Sequence, residues 1–445
     1  MEHKLKKFAM VFGFVVTSIS SHAAPQQPKL TVTTEETKAT VQWSPVTGAN
    51  NYSLFYAPHP ALTPINSIPL ADKTDFIAEL LVGASYAVAI KAHGSSGESN
   101  YSNVEVVRIE NPNTVIIKRT GQKKSFNEQG DVVADRSIKD DGYYQTGVAQ
   151  SYTRDDTKEI VTDNVTGLMW QDDSEAKTVL KPWMSPVEYN LAKTTGDYSN
   201  TSGATLTTYC TNLTLGEFDD WRMPTRKEMV GLNVYGRIYP AISPEFKNVG
   251  SDYCSSTTYA PTINVAENEY NGSNAWCNMA YPGCQAPYEK SEQVNVRCVR
   301  ESTEKISAPL AASFNRNKGV VTDNNTGLQW QDDYSDNGNK IKISNWIGAI
   351  NYCEALPLDG GSWRLPNMNE ITSIVDETKY NPSINSMFQN TDSDLSSLNE
   401  GPYWTSSTNG DSMEGETFIG RLIYFADGHQ NNSGKDSELA VRCVR

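Results

Sequence analysis

The thirteen residues Val161-Thr-Asp-Asn-Val-Thr-Gly-Leu-Met-Trp-Gln-Asp-Asp173 occur a second time as Val321-Thr-Asp-Asn-Asn-Thr-Gly-Leu-Gln-Trp-Gln-Asp-Asp333. Eleven of the thirteen positions are identical. Self-similarity of this kind indicates that one structural unit has been duplicated within the chain. The fold of everything after the first hundred residues therefore depends on what this repeated unit is.

Further motifs recur in the same order and extend the duplication. They are Tyr209-Cys210 with Tyr352-Cys353, Trp221-Arg-Met-Pro224 with Trp363-Arg-Leu-Pro366, Tyr253-Cys-Ser-Ser with Tyr403-Trp-Thr-Ser, and Val296-Arg-Cys298-Val-Arg300 with Val441-Arg-Cys443-Val-Arg445. We predict two homologous domains, the first repeat (residues 111–300) and the second repeat (residues 301–445). The separation between matching motifs falls from 160 to 143 residues, which predicts an insertion in the first repeat near Thr194 to Thr208. The polar stretch Glu301 to Pro309 is typical of a linker.

This order of motifs resembles the Lcl C-terminal domain family. Residues 111–155, here called the leading segment, also fit that family through Thr120-Gly-Gln122 and Asp140-Asp-Gly-Tyr-Tyr-Gln-Thr-Gly147. The resemblance implies an α+β fold related to C-type lectins and to formylglycine-generating enzymes. It also implies a role at bacterial surfaces, where the best-known member adheres to host glycans.

The part of the chain before the repeats has a different pattern. Residues 31 to 110 alternate apolar and polar positions in short runs, which is typical of an antiparallel β-sandwich. Residues 28–110 resemble a fibronectin type III domain, with Trp43 as the core tryptophan and Leu80 and Tyr86 as a tyrosine corner. The predicted fold class is therefore mixed: an all-β fibronectin type III sandwich followed by two α+β lectin-like domains.

The N-terminus predicts export. Lys4, Lys6 and Lys7 precede the apolar run Phe8 to Ile19, and small residues before Ala23 suit cleavage of a signal peptide of residues 1–23. The alternative, a membrane anchor, needs about 20 apolar residues. We expect no membrane span and a secreted, periplasmic or outer-surface location.

Composition excludes several function classes. The net charge of −15 disfavours nucleic acid as a partner. After the leader only His59, His93 and His429 remain, which leaves little room for histidine-based metal or catalytic sites. We predict no metal and no cofactor, while calcium binding and the oligomeric state stay open.

Seven cysteines in an oxidising compartment predict disulfides. Cys210 and Cys298 are 88 residues apart, and the equivalent Cys353 and Cys443 are 90 apart. Equivalent positions predict one equivalent bridge in each repeat. Three further cysteines remain in the first repeat, so one of them is free or intermolecular, and their pairing is open. They are Cys254, Cys277 and Cys284.

The repeated polar residues favour structural roles. Thr225 with Glu228, and Asn367 with Glu370, fit capping boxes at helix starts. Arg222 and Arg364 could bind an anion, but an internal bridge to a carboxylate such as Asp220 is favoured. Trp170 and Trp330 are expected in the core. Of two readings of the acidic pairs after these tryptophans, a solvated turn is favoured over Ca²⁺ coordination; the pairs are Asp172/Asp173 and Asp332/Asp333.

Two loops carry the predicted ligand site. In lectin-like folds the ligand loops lie between the Trp-Ser-Ser-type strand and the next strand, here residues 258 to 274 and 409 to 416. Their oxygen-rich residues suit sugar hydroxyls: Asn264, Glu267, Asn268, Tyr270, Asn271, Asn409, Asp411 and Glu414. The Glu-Pro-Asn and Trp-Asn-Asp motifs of calcium-dependent lectins are absent.

We expect a non-catalytic binding or adhesion protein that recognises a glycan or another extracellular or envelope component. Alternatives are an oxidoreductase of the formylglycine-generating kind, which uses a reactive cysteine pair, and a scaffold without a small ligand. The first repeat has a net charge of −5 and the second −9. These charges favour a neutral glycan or a peptide over a sulfated polyanion, unless a local basic patch around Lys118, Arg119, Lys123 and Lys124 overrides them.

Overall fold

The computed structural model describes residues 24–35, 38–58, 64–80, 85–108, 115–135, 137–237, 239–259, 272–281, 283–301, 312–391, 401–409 and 417–445. The chain divides into two compact units, one ending at Thr114 and the other beginning at Val115. Both repeats thus belong to one unit. Most of the regular elements in the described residues are β-strands, and the helices are few and short. The predicted signal peptide lies outside them.

The first unit is an antiparallel two-sheet structure. One sheet has the strand order β1-β2-β5, and the other has the order β4-β3-β6-β7 with β8 paired to β6. Alternate residues of each strand point inward, and Trp43 lies at the centre of the core with Leu80 and Tyr86 packed at its edge. The strands are β1 (Leu30–Glu35), β2 (Lys38–Trp43), β3 (Asn51–Pro58), β4 (Asn66–Pro69), β5 (Asp75–Glu79), β6 (Ser85–Gly94), β7 (Gly97–Glu98) and β8 (Glu105–Arg108).

The first repeat contains two sheets. A four-stranded sheet has the order β17-β11-β10-β9, and a five-stranded sheet has the order β12-β16-β13-β14-β15. The strands are β9 (Tyr152–Asp155), β10 (Ile160–Asp163), β11 (Leu168–Gln171), β12 (Leu180–Pro182), β13 (Asp252–Thr258), β14 (Asn274–Met279), β15 (Cys284–Glu289), β16 (Gln293–Asn295) and β17 (Val299–Glu301). The helices are α1 (Asp141–Tyr144) in the leading segment, then α2 (Glu175–Thr178), α3 (Pro186–Thr195), α4 (Leu206–Thr211) and α5 (Arg226–Val230).

The second repeat has the same order in its five-stranded sheet, whereas its other sheet has three strands instead of four. Its sheets run β18-β19-β20 and β21-β25-β22-β23-β24. In both five-stranded sheets one pair is parallel, β13 with β16 and β22 with β25. The strands are β18 (Phe314–Asn317), β19 (Val320–Asp323), β20 (Gln329–Gln331), β21 (Lys342–Ser344), β22 (Pro402–Thr408), β23 (Ile419–Tyr424), β24 (Gln430–Gly434) and β25 (Leu439–Val441), and the helices are α6 (Trp346–Ala355) and α7 (Met368–Ser373).

The repeated motif forms a β-hairpin in each repeat. The Asp163 carboxylate accepts hydrogen bonds from the turn, and Gly167 takes the positive φ of 72° that the turn requires. Asp323 and Gly327 do the same in the second repeat. Trp170 and Trp330 follow the turn and are buried, as predicted.

The two acidic pairs differ from the solvated turns that the sequence favoured. Asp172 and Asp332 are fully buried. Asp332 accepts hydrogen bonds from Arg316 at 2.9 Å, from Arg442 at 3.3 Å and from the backbone N–H groups of Gln389 and Asn390. A buried carboxylate with this many donors holds the β18–β20 sheet, the C-terminal strand and the 389–390 turn together. Asp172 has the equivalent partners in the first repeat.

The repeated arginines bridge internally, as favoured, although to a different carboxylate. Arg222 pairs with Glu228 at 2.7 Å and Arg364 with Glu370 at 2.5 Å. Asp220 pairs with Arg300 instead. Both glutamates also complete the predicted capping boxes of α5 and α7.

The insertion lies between two features that both repeats share, a buried tryptophan and the bridged cysteine. Trp183 and Trp346 each donate an indole N–H to a strand carbonyl, those of Ser255 and Thr405. From the tryptophan to the bridged cysteine there are 27 residues in the first repeat and seven in the second. Helices α3 and α4 and the residues between them thus replace α6, and they include the predicted stretch 194–208. Of the predicted linker 301–309, Glu301 ends β17 and the rest lies outside the described residues.

The leading segment packs on both repeats, whereas the sequence assigned it to the first alone. Lys118 forms a buried ion pair with Asp163 of the first repeat. On the second repeat, Gln122 and Asp141 accept hydrogen bonds from Thr408 and Ser407 at 2.7 Å each. Both ends of this unit also meet one hairpin of the second repeat: the Val115 N–H donates to the Asn325 carbonyl, and the Arg445 N–H donates to the Gln329 carbonyl.

The structure contains the two equivalent disulfides, Cys210–Cys298 and Cys353–Cys443. A third, Cys254–Cys277, joins the neighbouring strands β13 and β14. Cys284 is free and buried, so the odd cysteine is identified.

Cysteine 284 gives a direct test of this pairing. Because its side chain is buried, its thiol is expected to react slowly in the folded protein and at once after unfolding. Titration with a thiol reagent in denaturant should find one thiol per chain. The Cys284→Ser variant should read zero, and a reading of three in the wild-type chain would contradict the third disulfide.

Candidate functional site

The predicted ligand loops lie largely outside the described residues. This applies to Asn264, Glu267, Asn268, Tyr270, Asn271, Asp411 and Glu414. Asn409 is described, and it is buried with its amide oxygen accepting a hydrogen bond from Arg421 at 2.8 Å. This position differs from the exposed one that the predicted ligand contact requires. The Asn409 side chain instead supports the second repeat.

A cleft of about 260 Å³ lies elsewhere on the first repeat. Its floor is apolar and is formed by Ile242, Phe246 and Val249, which are all buried. The residues that line the cleft are Lys177, Arg237, Pro240, Ile242, Ser243, Pro244, Phe246, Lys247, Val249 and Tyr281.

The wall of the cleft is the segment that follows helix α5. Its backbone is held by the turn between β14 and β15, because the Tyr239 N–H donates to the Tyr281 carbonyl at 2.9 Å and the Ala241 N–H donates to the Ala280 carbonyl at 2.7 Å. At the other end, the Lys247 N–H donates to the buried Asp172 carboxylate at 2.8 Å. The cleft is therefore built on the rigid frame of the repeat.

Two exposed tyrosines stand at the edge of the cleft. Tyr239 is 55% exposed and Tyr281 is 38% exposed. Their ring centroids are 6.1 Å apart with an angle of 46° between the planes. Aromatic side chains at the surface combine a large apolar face with a hydroxyl group, which suits them to recognition.

Three cations and no carboxylate line the cleft. Lys247 reaches Asp156 at 2.6 Å, but both side chains are exposed and the pair is screened by water. Within the described residues, the structure records no ion pair for Lys177 or Arg237. The cleft thus carries positive charge on a protein whose overall charge is negative.

The second repeat lacks this chemistry at equivalent backbone positions. Gln389 occupies the position equivalent to Lys247, because the backbone N–H of each residue donates to the buried aspartate of its own repeat. Asn381 and Ala426 replace Tyr239 and Tyr281, and their backbones make the same hydrogen bond. Lys379 replaces Arg237 and pairs with Asp376 at 3.1 Å. The cationic and aromatic cleft is therefore specific to the first repeat.

The sequence reasoning did not identify this cleft. Its residues come from three separate parts of the chain and form no motif. A comparison of the two repeats at the positions where they differ could have found part of it, since Tyr239, Tyr281 and Lys247 stand opposite the neutral Asn381, Ala426 and Gln389. The basic patch predicted from the sequence has one fewer surface cation than expected, because Lys118 is buried against Asp163.

The described part of the chain contains no group of three His, Cys, Asp or Glu residues that could hold a metal ion. In the same residues no helix is long and apolar enough to cross a membrane.

Comparison with known proteins covers both units. Solved fibronectin type III domains are similar to the first unit. The fifth such domain of Drosophila Lar is 18% identical, with 20% of this chain and 99% of that chain covered and a TM-score of 0.18. The domain of the human collagen alpha-1(XX) chain is 25% identical, with 21% and 92% covered and a TM-score of 0.19. No curated protein matches the chain.

The repeats match one family. The Lcl C-terminal domain is found at residues 159–300 and again at residues 319–445. These two matches cover more than half of the 445 residues. Three disulfides accompany them and fit an extracellular protein. The chain therefore belongs to the Lcl C-terminal domain family and carries that domain twice.

Proposed function

We propose that this chain is an exported, non-catalytic binding protein that holds acidic sugars of a glycan in the cleft of its first repeat. The observation that carries the proposal is that the cations Lys177, Arg237 and Lys247 line one cleft with Tyr281, and that the exposed Tyr239 ring lies beside Tyr281. In the second repeat Gln389, Asn381 and Ala426 stand at the positions of Lys247, Tyr239 and Tyr281. In this proposal the repeats are lectin-like domains, the sandwich is a spacer, and residues 1–23 direct export.

The charge of the cleft supports an anionic ligand. A carboxylate or sulfate group on a sugar ring would meet Lys177, Arg237 and Lys247, while the ring would lie against the tyrosines. Charge-assisted hydrogen bonds are about twice as strong as neutral ones. This proposal departs from the neutral glycan expected from net charge, because three local cations decide the field at the cleft while the net charge acts at longer range.

The buried state of the cysteines supports a binding role over the formylglycine-generating type of oxidoreductase. Cys254 and Cys277 are joined across two strands, and Cys284 is buried. A reactive thiol needs access and a group that stabilises the thiolate. In this proposal all three cysteines are structural.

The test is retention on polysaccharides of different charge. Mature protein is passed over immobilised heparin, polygalacturonate and neutral dextran at low and raised salt. We expect retention on at least one of the acidic polymers, no retention on dextran, and weakening with salt. The variant Lys177→Ala/Arg237→Ala/Lys247→Ala should bind the retaining polymer about 10- to 100-fold more weakly, as loss of about 1.4–2.8 kcal/mol implies.

A matched control separates the cleft from charge in general. Arg119→Ala/Lys123→Ala/Lys124→Ala removes the same number of cations from the leading segment and should bind like the wild type. An equal loss of polymer binding in both triple variants would show that the protein attracts the polymer non-specifically through its charge. Retention on dextran alone would return the ligand to the neutral class, and no retention on any polymer would favour the scaffold alternative.

A further inference from the structure

The second repeat binds the leading segment at one defined surface, here called the α7 surface. It consists of the start of α7 and the end of β22. The Ser407 hydroxyl donates to Asp141, the Thr408 N–H donates to Gln122, and the Asn367 amide donates to the Thr146 hydroxyl at 2.9 Å. The Tyr144 ring lies over the Arg364 guanidinium, with 5.6 Å from the guanidinium carbon to the ring centroid.

The first repeat has the same surface, formed by the start of α5 and the end of β13 and here called the α5 surface. The Thr257 hydroxyl accepts the Arg226 N–H at 3.0 Å, as Ser407 accepts that of Met368 at 3.1 Å. The Ser256 N–H donates to the Pro224 carbonyl at 2.8 Å, and Ser406 does the same with Pro366. Arg222 and Arg364 hold equivalent glutamates.

The two surfaces differ in what covers them. On the second repeat Ser406, Ser407, Thr408 and Asn367 are each 2% exposed or less. On the first repeat Ser256 and Thr225 are exposed, and Thr257 and Thr258 are half-buried. The side chain of Arg222 is 37% exposed, against 11% for Arg364. The α5 surface therefore presents to solvent the groups that its counterpart uses to bind a peptide segment.

The chemistry of a suitable occupant follows from the covered surface. A segment that supplies one carboxylate to a hydroxyl group and one tyrosine ring to an arginine satisfies the α7 surface. Arg222 on the α5 surface pairs with Glu228 and, at 3.3 Å, with the exposed Glu301, and it donates to the Met223 carbonyl. Glu354, which binds Lys139 of the leading segment, corresponds to Thr211 in the first repeat. An occupant of the α5 surface therefore needs the acidic and aromatic groups and no lysine.

We infer that the α5 surface of the first repeat is a docking site for a short segment of a partner protein, with an aspartate followed within a few residues by a tyrosine. It would bind as Asp140 to Thr146 of the leading segment binds the second repeat. This site is separate from the cleft, and the inference does not depend on the glycan proposal.

The probe is a synthetic peptide of residues 118–147 of this chain, labelled and titrated into the full mature protein. We expect saturable binding of one peptide per chain. Ser256→Arg places a large side chain on the exposed α5 surface and should weaken binding at least tenfold. Asn190→Arg adds the same side chain at an exposed position of α3 and should change nothing. Circular dichroism and the unfolding midpoint check that both variants fold.

Three results would overturn the inference. Absence of saturable binding to the wild-type chain would leave the α5 surface without a peptide ligand. Equal binding by Ser256→Arg would place the peptide elsewhere, for example on the second repeat in exchange for the leading segment. Self-association of the chain that Ser256→Arg abolishes, seen by sedimentation, would assign the surface to a second copy instead of a partner protein.

Discussion

Replacing Asp332 with alanine is expected to lower the free energy of unfolding by about 3–5 kcal/mol, because it leaves Arg442 buried without its counter-charge. The substitution also removes the acceptor for Arg316 and for two backbone N–H groups of the 389–390 turn. Buried donors without partners each cost about 1–3 kcal/mol. Denaturation with urea at intact disulfides, followed by tryptophan fluorescence, measures the effect.

The neighbouring residue provides the control. Asp333 is half-buried and its carboxylate accepts one backbone hydrogen bond, from Ser335. Asp333→Ala is therefore expected to cost about 1 kcal/mol or less. If the two variants unfold at the same urea concentration, the buried aspartate does not have the central role that its contacts indicate.

Removal of the leading segment is expected to abolish cooperative folding of the second repeat. A chain that begins at Ser151 keeps β9 but lacks the groups that cover Ser407, Thr408 and Lys435, and it lacks Ile138, which packs on the core of that repeat. A chain that begins at Val115 lacks only the sandwich and should fold. Heat-capacity scanning and near-ultraviolet circular dichroism of the two chains make the comparison.

A point variant makes the same test without truncation. A Cβ atom at Gly142 would lie 1.9 Å from the Lys124 carbonyl oxygen, so Gly142→Ala forces α1 away from the backbone of Lys124 and Ser125. We expect a lower unfolding midpoint for this variant. A chain from Ser151 that unfolds in one sharp transition at the midpoint of the longer chain would contradict this role of the leading segment.

The sequence predicted what local pattern and duplication encode. Matching motifs gave the two equivalent disulfides, and the spacing of Thr225 with Glu228 gave a helix start, because capping depends on residues three apart. The sequence did not predict the burial of Asp172 and Asp332. Two adjacent carboxylates are typical of a solvated turn. The buried arginines that pair with them, Arg297 with Asp172 and Arg442 with Asp332, lie more than a hundred residues away in the sequence, so the local pattern does not reveal them.

The placement of the leading segment was also beyond sequence reasoning. It precedes the first repeat and was assigned to it, yet Asp141 bonds to a residue 266 positions later. Contacts of this kind are decided by which surfaces remain open once each repeat has folded. The cleft was missed for a related reason, since Lys177, Arg237 and Tyr281 meet only in the folded repeat.

The shared attachment of both ends of the second unit has a mechanical consequence. The Val115 N–H donates to a carbonyl in the turn between β19 and β20, and the Arg445 N–H donates to the Gln329 carbonyl at the start of β20. A pulling force applied between these ends would pass first through that hairpin of the second repeat and through the bonds that hold the leading segment. The bonds of Val115 and Arg445 to that hairpin would be loaded before the bonds that join the leading segment to the first repeat, so a ligand held in the cleft would feel the load later.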